Sequence, residues 1–426
     1  MERHHRRDPD LALGDVVSHG FAMSSLDIVL VVVLCLVFVT LVSGPVRNSK
    51  GWSATVTPLA SIIGSGFLVS VPLLASAIGV WAVAAVVALT ALAFLIGGAI
   101  RYNIEHGEPL FEGAEAGHSI RSIETLSHFV LIAAYFISVA YYLVLLATFG
   151  LKLVGSSDPA LGRIIATLMI CGICFVGATK GLEGVEKAEK VTVSANLAAI
   201  AALLATLVLF GFALPAGYSW EAAANESHNF DWETLRFLMG LLIIVQGFET
   251  TRFMGQMYSG QMRVRAMRRA QIASSIVYVV FFILMIPLFP FFTSTADVAG
   301  FIDVIGRVTP WLPYVVTAGA IASQFSASVA DSIGASGLVS ATSRGHISPR
   351  HAYLVIGAVA ICVIWSTDVV SIVTLASRAF ALFYALQCVV AVLVARHAGH
   401  RSKELWFTGL AVVAFAIAML GIPASG

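Results

Sequence analysis

Long apolar runs separated by short polar connections make up most of this chain. Many of them approach the roughly 20 residues that a helix needs to cross the hydrocarbon core of a bilayer. The runs cover 25–43, 54–76, 78–100, 124–151, 161–179, 191–213, 235–258, 271–292, 312–342, 351–366, 369–395 and 405–422. They are continuous rather than alternating in polarity, which favours helices over the strands of a β-barrel. The pattern predicts an all-α polytopic membrane protein with about twelve transmembrane helices.

The amino-acid composition is also that of a membrane protein. Hydrophobic residues make up 58% of the sequence, charged residues 12%, and the mean hydropathy is +0.91. We therefore expect a lipid bilayer, that of a cell membrane, as the surroundings. No nucleic-acid partner is expected, and the oligomeric state stays open. Cys171 and Cys174 lie inside an apolar run without a nearby histidine, which favours packing over a metal site.

The distribution of lysine and arginine predicts the orientation. If the connection before 54–76 is cytoplasmic, most of the 25 basic residues fall on the cytoplasmic side, as the positive-inside rule requires. The N-terminal tail, 1–24, then lies outside, and 25–43 is an extra helix that precedes the repeated part of the chain. The basic tail residues run mildly against this orientation.

Two runs are interrupted by glycine or polar residues at comparable depth. Glycine weakens a helix, and lipid offers no partner to the backbone groups that a break releases. Breaks at corresponding places in two halves are typical of transporters with inverted repeats. The alternative is that the glycines allow close helix packing. The residues expected at a substrate site between the breaks are Gly64, Ser65, Gly66, Gln246, Gly247, Phe248 and Glu249.

The spans around these breaks divide into two sets of five. The first set occupies 54–213 and the second 235–395, while 405–422 is peripheral. An odd number of spans in each half gives the halves opposite orientations in the membrane. The sequence thus predicts two inverted five-helix repeats.

Three short motifs in this order resemble the amino acid–polyamine–organocation (APC) superfamily. Ile63-Gly64-Ser65-Gly66-Phe67 resembles the unwound first core helix of that family, and Gln246-Gly247-Phe248-Glu249 resembles the sixth. The stretch 343–349 is similar to the exit of the eighth. The resemblance implies the LeuT-type fold with ten core helices. The extra first helix favours the sodium:solute symporters, while the compact length favours the amino acid permeases. Near Ala199, the chain lacks the lysine that some proton-coupled permeases carry.

The resemblance also implies a cation site. Matched to the first motif, the carbonyls of Ala60 and Ile63 become candidate ligands. Ser328, Asp331 and Ser332 share one helical face at i, i+3 and i+4 and offer a carbonyl, a carboxylate and a hydroxyl. Hard oxygen ligands of this kind suit an alkali cation. Na⁺ or H⁺ is expected as the coupling ion, without any other cofactor or metal.

Charged residues within the core spans leave two interpretations open. Glu249 and Arg252 can pair on one helical face, and Asp331 can pair with Arg378 across the bundle. In that case neither carboxylate is free for a cation. Otherwise Asp331 can bind Na⁺, and Glu249 can carry a proton. Tyr135 is a candidate to cover the substrate.

An enzyme is not expected. The G-x-S-G sequence at 334–337 matches rhomboid proteases, but later core spans carry no histidine at mid-membrane depth to act as a base.

The hypothesis is a secondary active transporter that moves a small organic solute, an amino acid or similar zwitterion, together with Na⁺ or H⁺. Alternating access would occur around discontinuous helices 54–76 and 235–258. A transporter-like channel or a sensor is the alternative.

Overall fold

The computed structural model describes residues 24–113, 117–179, 186–221, 230–255, 257–292, 299–343 and 345–423. Almost all of the predicted tail lies outside these ranges. Within these ranges, fifteen α-helices follow one another: α1 Ser25–Val42, α2 Gly44–Arg47, α3 Lys50–Ile78, α4 Ala82–Tyr102, α5 Glu108–Glu112, α6 His118–Leu153, α7 Pro159–Thr179, α8 Glu186–Phe212, α9 Trp232–Met239, α10 Gly260–Met285, α11 Gly300–Gly306, α12 Leu312–Thr342, α13 Pro349–Ser366, α14 Val369–His397 and α15 Arg401–Leu420. The described residues also form four 3₁₀ segments, Gly79–Trp81, Leu242–Val245, Phe248–Met254 and Ile286–Phe291, and a π-helical stretch, Asn103–Gly107, which interrupt or extend the longer elements.

The number of membrane crossings agrees with the sequence. Within the described ranges, nine helical runs are long and apolar enough to cross a membrane. One of them, Lys50–Phe111, holds two crossings that meet at a tight turn, where Gly79 adopts a φ of 52°. The 31 residues of α12 reach across a bilayer at 1.5 Å per residue, and the interrupted segment 232–254 supplies another crossing. The prediction of about twelve transmembrane helices is confirmed.

Helix α6 lies at the centre of the bundle, packed against both α12 and α14. The extra helix α1 packs along α8 at the periphery, and α15 covers α14 on another side. Because α6, α12 and α14 carry many fully buried residues, they form a rigid frame. Helix α3 and segment 242–254 rest against this frame and against each other.

The predicted break in 54–76 is wrong. Helix α3 runs without interruption from Lys50 to Ile78, through Gly64 and Gly66. The glycines serve close packing instead. A Cβ added at Gly66 would lie 2.5 Å from the Cα of Ile244, and one at Gly64 would lie 2.7 Å from the Oγ of Ser323. Small residues permit such close contact between helix backbones in membranes.

The predicted break in 235–258 is confirmed. Helix α9 ends at Met239, and the chain continues as two 3₁₀ segments separated by Gln246 and Gly247. Gly247 has a φ of 116°, which side-chain-bearing residues rarely adopt. Neighbouring helices satisfy two of the backbone groups near the break. The Ile243 amide donates to Ser377 Oγ at 2.9 Å, and the Tyr278 hydroxyl donates to the carbonyl of Ile244.

Candidate functional site

A cavity of about 220 Å³ lies between α3, α6, α8, α12 and segment 248–254. It is smaller than the roughly 300–1,000 Å³ of sites for drug-sized ligands, so it suits a small solute. Its polar lining includes Thr57, Ser61, Tyr135, Thr250, Ser323 and Asp331. Phe253, also in the lining, is 37% exposed, so this side of the cavity reaches the surface of the protein. The lining positions of α3, α8 and segment 248–254 lie in the parts of these elements that the orientation prediction places nearer the cytoplasm.

Asp331 borders the cavity from α12 and is only 6% exposed. Its Oδ2 accepts a hydrogen bond from the hydroxyl of Ser138 on α6. The pairing with Arg378 is wrong, because Arg378 is exposed and its Nε donates to the carbonyl of Ala418 at 2.7 Å. Among the described residues, no basic group lies within 4 Å of the Asp331 carboxylate.

Glu249 is fully buried directly after the break. Its Oε2 accepts hydrogen bonds from the Gly247 amide at 2.9 Å and the Tyr384 hydroxyl at 2.7 Å. Its Oε1 is buried without a hydrogen-bond partner in the part of the chain that the structure describes. The pairing with Arg252 is wrong as well. The guanidinium of Arg252 binds Glu124 of α6 instead, at 2.8 Å.

Two acidic side chains are thus buried near one cavity without a basic partner among the described residues. A buried carboxylate that lacks a positive partner is costly, so a proton or a cation neutralises it. The arrangement can accept a positive charge, from a proton, a metal cation or an ammonium group.

The structure brings only part of the predicted cation set to the cavity. Ala60 and Asp331 line it, whereas Ile63, Ser328 and Ser332 do not. The Ser332 hydroxyl instead donates to the Ser328 carbonyl at 2.7 Å within α12. No group of three histidine, cysteine, aspartate or glutamate residues in the described ranges is placed to hold a metal ion. Cation binding by the five residues stays a prediction.

The residues predicted around the breaks are packed together rather than open to the cavity. Gly247 lies against Ser61 of α3, where an added Cβ would approach Ser61 Oγ to 2.5 Å. Phe248 stacks on Tyr384 with ring centroids 4.9 Å apart. Gln246 Nε2 donates to the Tyr142 hydroxyl at 2.8 Å. Gly247 against Ser61 and Gly66 against Ile244 join α3 to the break, whereas Gly64 lies against Ser323 of α12. The Ser65 side chain lies outside the described atoms.

Several residues of the site were missed by sequence reasoning. Ser138 and Tyr384 contact the two carboxylates, and Gln324 donates from Nε2 to the Gly64 carbonyl at 2.9 Å. Gln387 and Glu124 bind Arg252. Each is a polar residue within or at the end of a long apolar run, which is the signal that could have drawn attention to them.

Comparison with known proteins gives three findings. A family model described as an APC superfamily transporter matches residues 44–421. An uncharacterised protein of Aquifex aeolicus (strain VF5) is 36% identical over 379 residues, which cover 88% of this chain and 92% of that protein. A solved structure of a Na⁺-coupled sialic acid symporter, substrate-bound and outward-open, is similar with a TM-score of 0.56. That likeness covers 94% of this chain and 98% of the symporter at 16% identity, and it shows the fold, which is LeuT-type.

Proposed function

Because this chain belongs to the APC superfamily of transporters, we propose that it carries a small organic solute across the membrane together with Na⁺ or H⁺. The solute is an amino acid or a similar zwitterion. The observation that supports coupling most directly is the pair of buried acidic residues, Glu249 and Asp331, beside a cavity of about 220 Å³. The uncompensated charge attracts a cation in each transport cycle.

The two carboxyl groups differ in access, which suggests separate roles. Asp331 faces the cavity, where it can meet a coupling cation or the ammonium group of the solute. Glu249 is sealed behind Tyr384 and Gly247, so a proton is the cation that fits there best. The Gly247 amide already donates to Glu249, and the amides of α3 belong to a continuous helix. The backbone amides at these two places are therefore poor ligands for a solute carboxylate. Hydroxyl groups that line the cavity, such as that of Ser323, can donate hydrogen bonds to the solute carboxylate instead.

The experiment is uptake into proteoliposomes with an imposed Na⁺ gradient, an imposed pH gradient, or neither. Labelled amino acids are supplied as a set, and thermal-shift measurements identify which of them bind. Asp331→Asn keeps the size of the side chain and removes its charge. We expect it to abolish gradient-driven uptake. Asp303→Asn is the matched control, because Asp303 is 65% exposed and pairs with Lys152 away from the cavity.

Two results would contradict the proposal. Uptake by the wild-type protein that is indifferent to both gradients excludes cation coupling and favours the channel alternative. An Asp331→Asn variant that keeps full gradient-driven uptake removes Asp331 from the coupling mechanism. In the second case Glu249→Gln, assayed in the same way, tests the remaining buried acid.

A further inference from the structure

Segment 248–254 docks on α14 through two matched side-chain contacts. Glu249 and Arg252 are three residues apart, and side chains at that spacing are aligned in a 3₁₀ helix. Tyr384 and Gln387 have the same spacing on α14. The Tyr384 hydroxyl donates to Glu249 Oε2 at 2.7 Å, and the Arg252 guanidinium donates to Gln387 Oε1. Because both contacts join the same two elements, the Arg252–Gln387 contact helps to hold Glu249 against Tyr384.

Glu124 of α6 completes this second contact. The Arg252 guanidinium donates to Glu124 Oε1 at 2.8 Å, and these two side chains are only 5% and 12% exposed. Gln387 Nε2 donates to Glu124 Oε2 at 3.2 Å and to Ser127 Oγ at 2.8 Å. His128 also reaches Glu124 Oε1, at 3.0 Å. Gln387 thus accepts from the cation and donates to the anion of one buried ion pair.

The faces of segment 248–254 that point away from Glu249 and Arg252 contribute Thr250, Phe253 and Met254 to a wall of the cavity. Its C-terminal end is held separately, because Arg263 donates to the Arg252 carbonyl at 2.8 Å while it binds Glu108. The segment is short, and its 3₁₀ hydrogen bonds are geometrically poorer than those of an α-helix. Its position therefore depends on side-chain contacts with its surroundings.

We propose that Glu124, Arg252 and Gln387 form a latch that positions Glu249 and the adjoining cavity wall. They act through segment 248–254, without contact with the solute. Removing one partner leaves the other charge buried and uncompensated, which is strongly unfavourable. The segment then leaves α14 transiently. The latch is independent of substrate identity, so failure of its test leaves the proposed transport function standing.

The test measures how fast an introduced thiol reacts in the purified protein. The native cysteines are replaced first, since Cys35, Cys171 and Cys362 are exposed. Thr251→Cys then places a thiol at a fully buried position of the segment, and Thr250→Cys places one in the cavity wall. We expect Glu124→Gln to speed methanethiosulfonate labelling about tenfold or more in the Thr251→Cys protein, because local opening exposes the thiol. Labelling in the Thr250→Cys protein should change little.

Charge reversal distinguishes the latch from a general loss of stability. The double variant Glu124→Arg/Arg252→Glu keeps one buried positive group beside one buried negative group, so it should restore slow labelling. Asn103 Nδ2 donates to Gln387 Oε1 at 3.1 Å, so both amides must turn together to serve the reversed pair. Glu404→Gln makes the same substitution in an exposed ion pair, whose partner Arg396 is 74% exposed, and as the control it should leave the labelling rate unchanged. Ala140→Cys places a thiol at a fully buried position of α6, where faster labelling would indicate a general loss of stability.

The proposal is overturned if Glu124→Gln leaves the Thr251→Cys labelling rate unchanged, or raises labelling in the Ala140→Cys protein equally. It is also overturned if charge reversal does not slow the reaction relative to Glu124→Gln. Should Glu124→Gln fail to fold, Gln387→Met gives a second reading. Methionine keeps the length of the side chain and removes the bridge, so the same selective rise is expected.

Discussion

The contact between Gly66 and Ile244 determines whether α3 can pack against the broken helix, and Gly66→Ala tests it. An added Cβ would lie 2.5 Å from the Cα of Ile244 and 2.7 Å from its Cβ. Carbon atoms prefer separations of about 3.5–4.0 Å, so one backbone must move by about 1 Å. The Tyr278 hydroxyl limits that movement, because it lies within hydrogen-bond distance of the carbonyls of both Ile62 and Ile244 and can donate its single proton to either.

The size of the effect follows from two opposing terms. Overpacking costs about 1–3 kcal/mol, whereas replacing glycine by alanine within a helix gains about 1 kcal/mol. Gly172 of α7 provides the control, because a Cβ there would meet nothing within 4 Å. Gly172→Ala therefore gains helix stability without overpacking. The two variants should therefore differ by about 1–3 kcal/mol, with Gly66→Ala the less stable.

Gly64→Ala should fall between these two variants. Its added Cβ would meet the hydroxyl of Ser323, a side-chain end that can rotate away. The assay is the apparent melting temperature in one detergent at one scan rate, because membrane proteins of this size seldom unfold reversibly. If Gly66→Ala is as stable as Gly172→Ala, the close packing of α3 against Ile244 is refuted as the reason for the glycine.

Two further predictions concern the break and the rejected ion pair. Gly247→Ala should lower the apparent melting temperature more than Gly155→Ala, because both positions have positive φ but only Gly247 also contacts α3 closely; equal losses would mean that backbone conformation alone matters. Arg378→Ala should change stability by less than about 0.5 kcal/mol and leave uptake intact, since Arg378 is exposed and bonded to a carbonyl. An uptake defect in Arg378→Ala matching that of Asp331→Asn would show that the two residues are linked after all.

The order and extent of the membrane helices were predictable from the sequence. The run 25–43 corresponds to Ser25–Val42, and 351–366 to Pro349–Ser366. Bilayer thickness dictates the length of each run, and the absence of water forces the backbone to form its own hydrogen bonds. Both constraints act locally on consecutive residues, so the sequence alone expresses them. The limits of the two repeats, 54–213 and 235–395, stay a prediction.

The break at Gly247 was predictable, and the break at Gly64 was wrongly predicted, for one physical reason. A glycine in an apolar run either interrupts the helix or admits a neighbouring backbone. At Gly247 the adjoining polar residues and a φ of 116° favour interruption. At Gly66 the neighbour is Ile244, nearly 180 positions away in the sequence, and only its arrival in the folded bundle selects close packing.

What the sequence by itself determined is the class of protein: a polytopic helical membrane protein with buried acids and an interrupted helix. Which acid meets which partner was decided by the tertiary structure alone. Glu249 binds Tyr384 and Asp331 binds Ser138, while Arg252 and Arg378 turn to other groups. Helical spacing shows which side chains share a face. The rotation of each helix about its axis depends on packing against all its neighbours, and that rotation selects the partners.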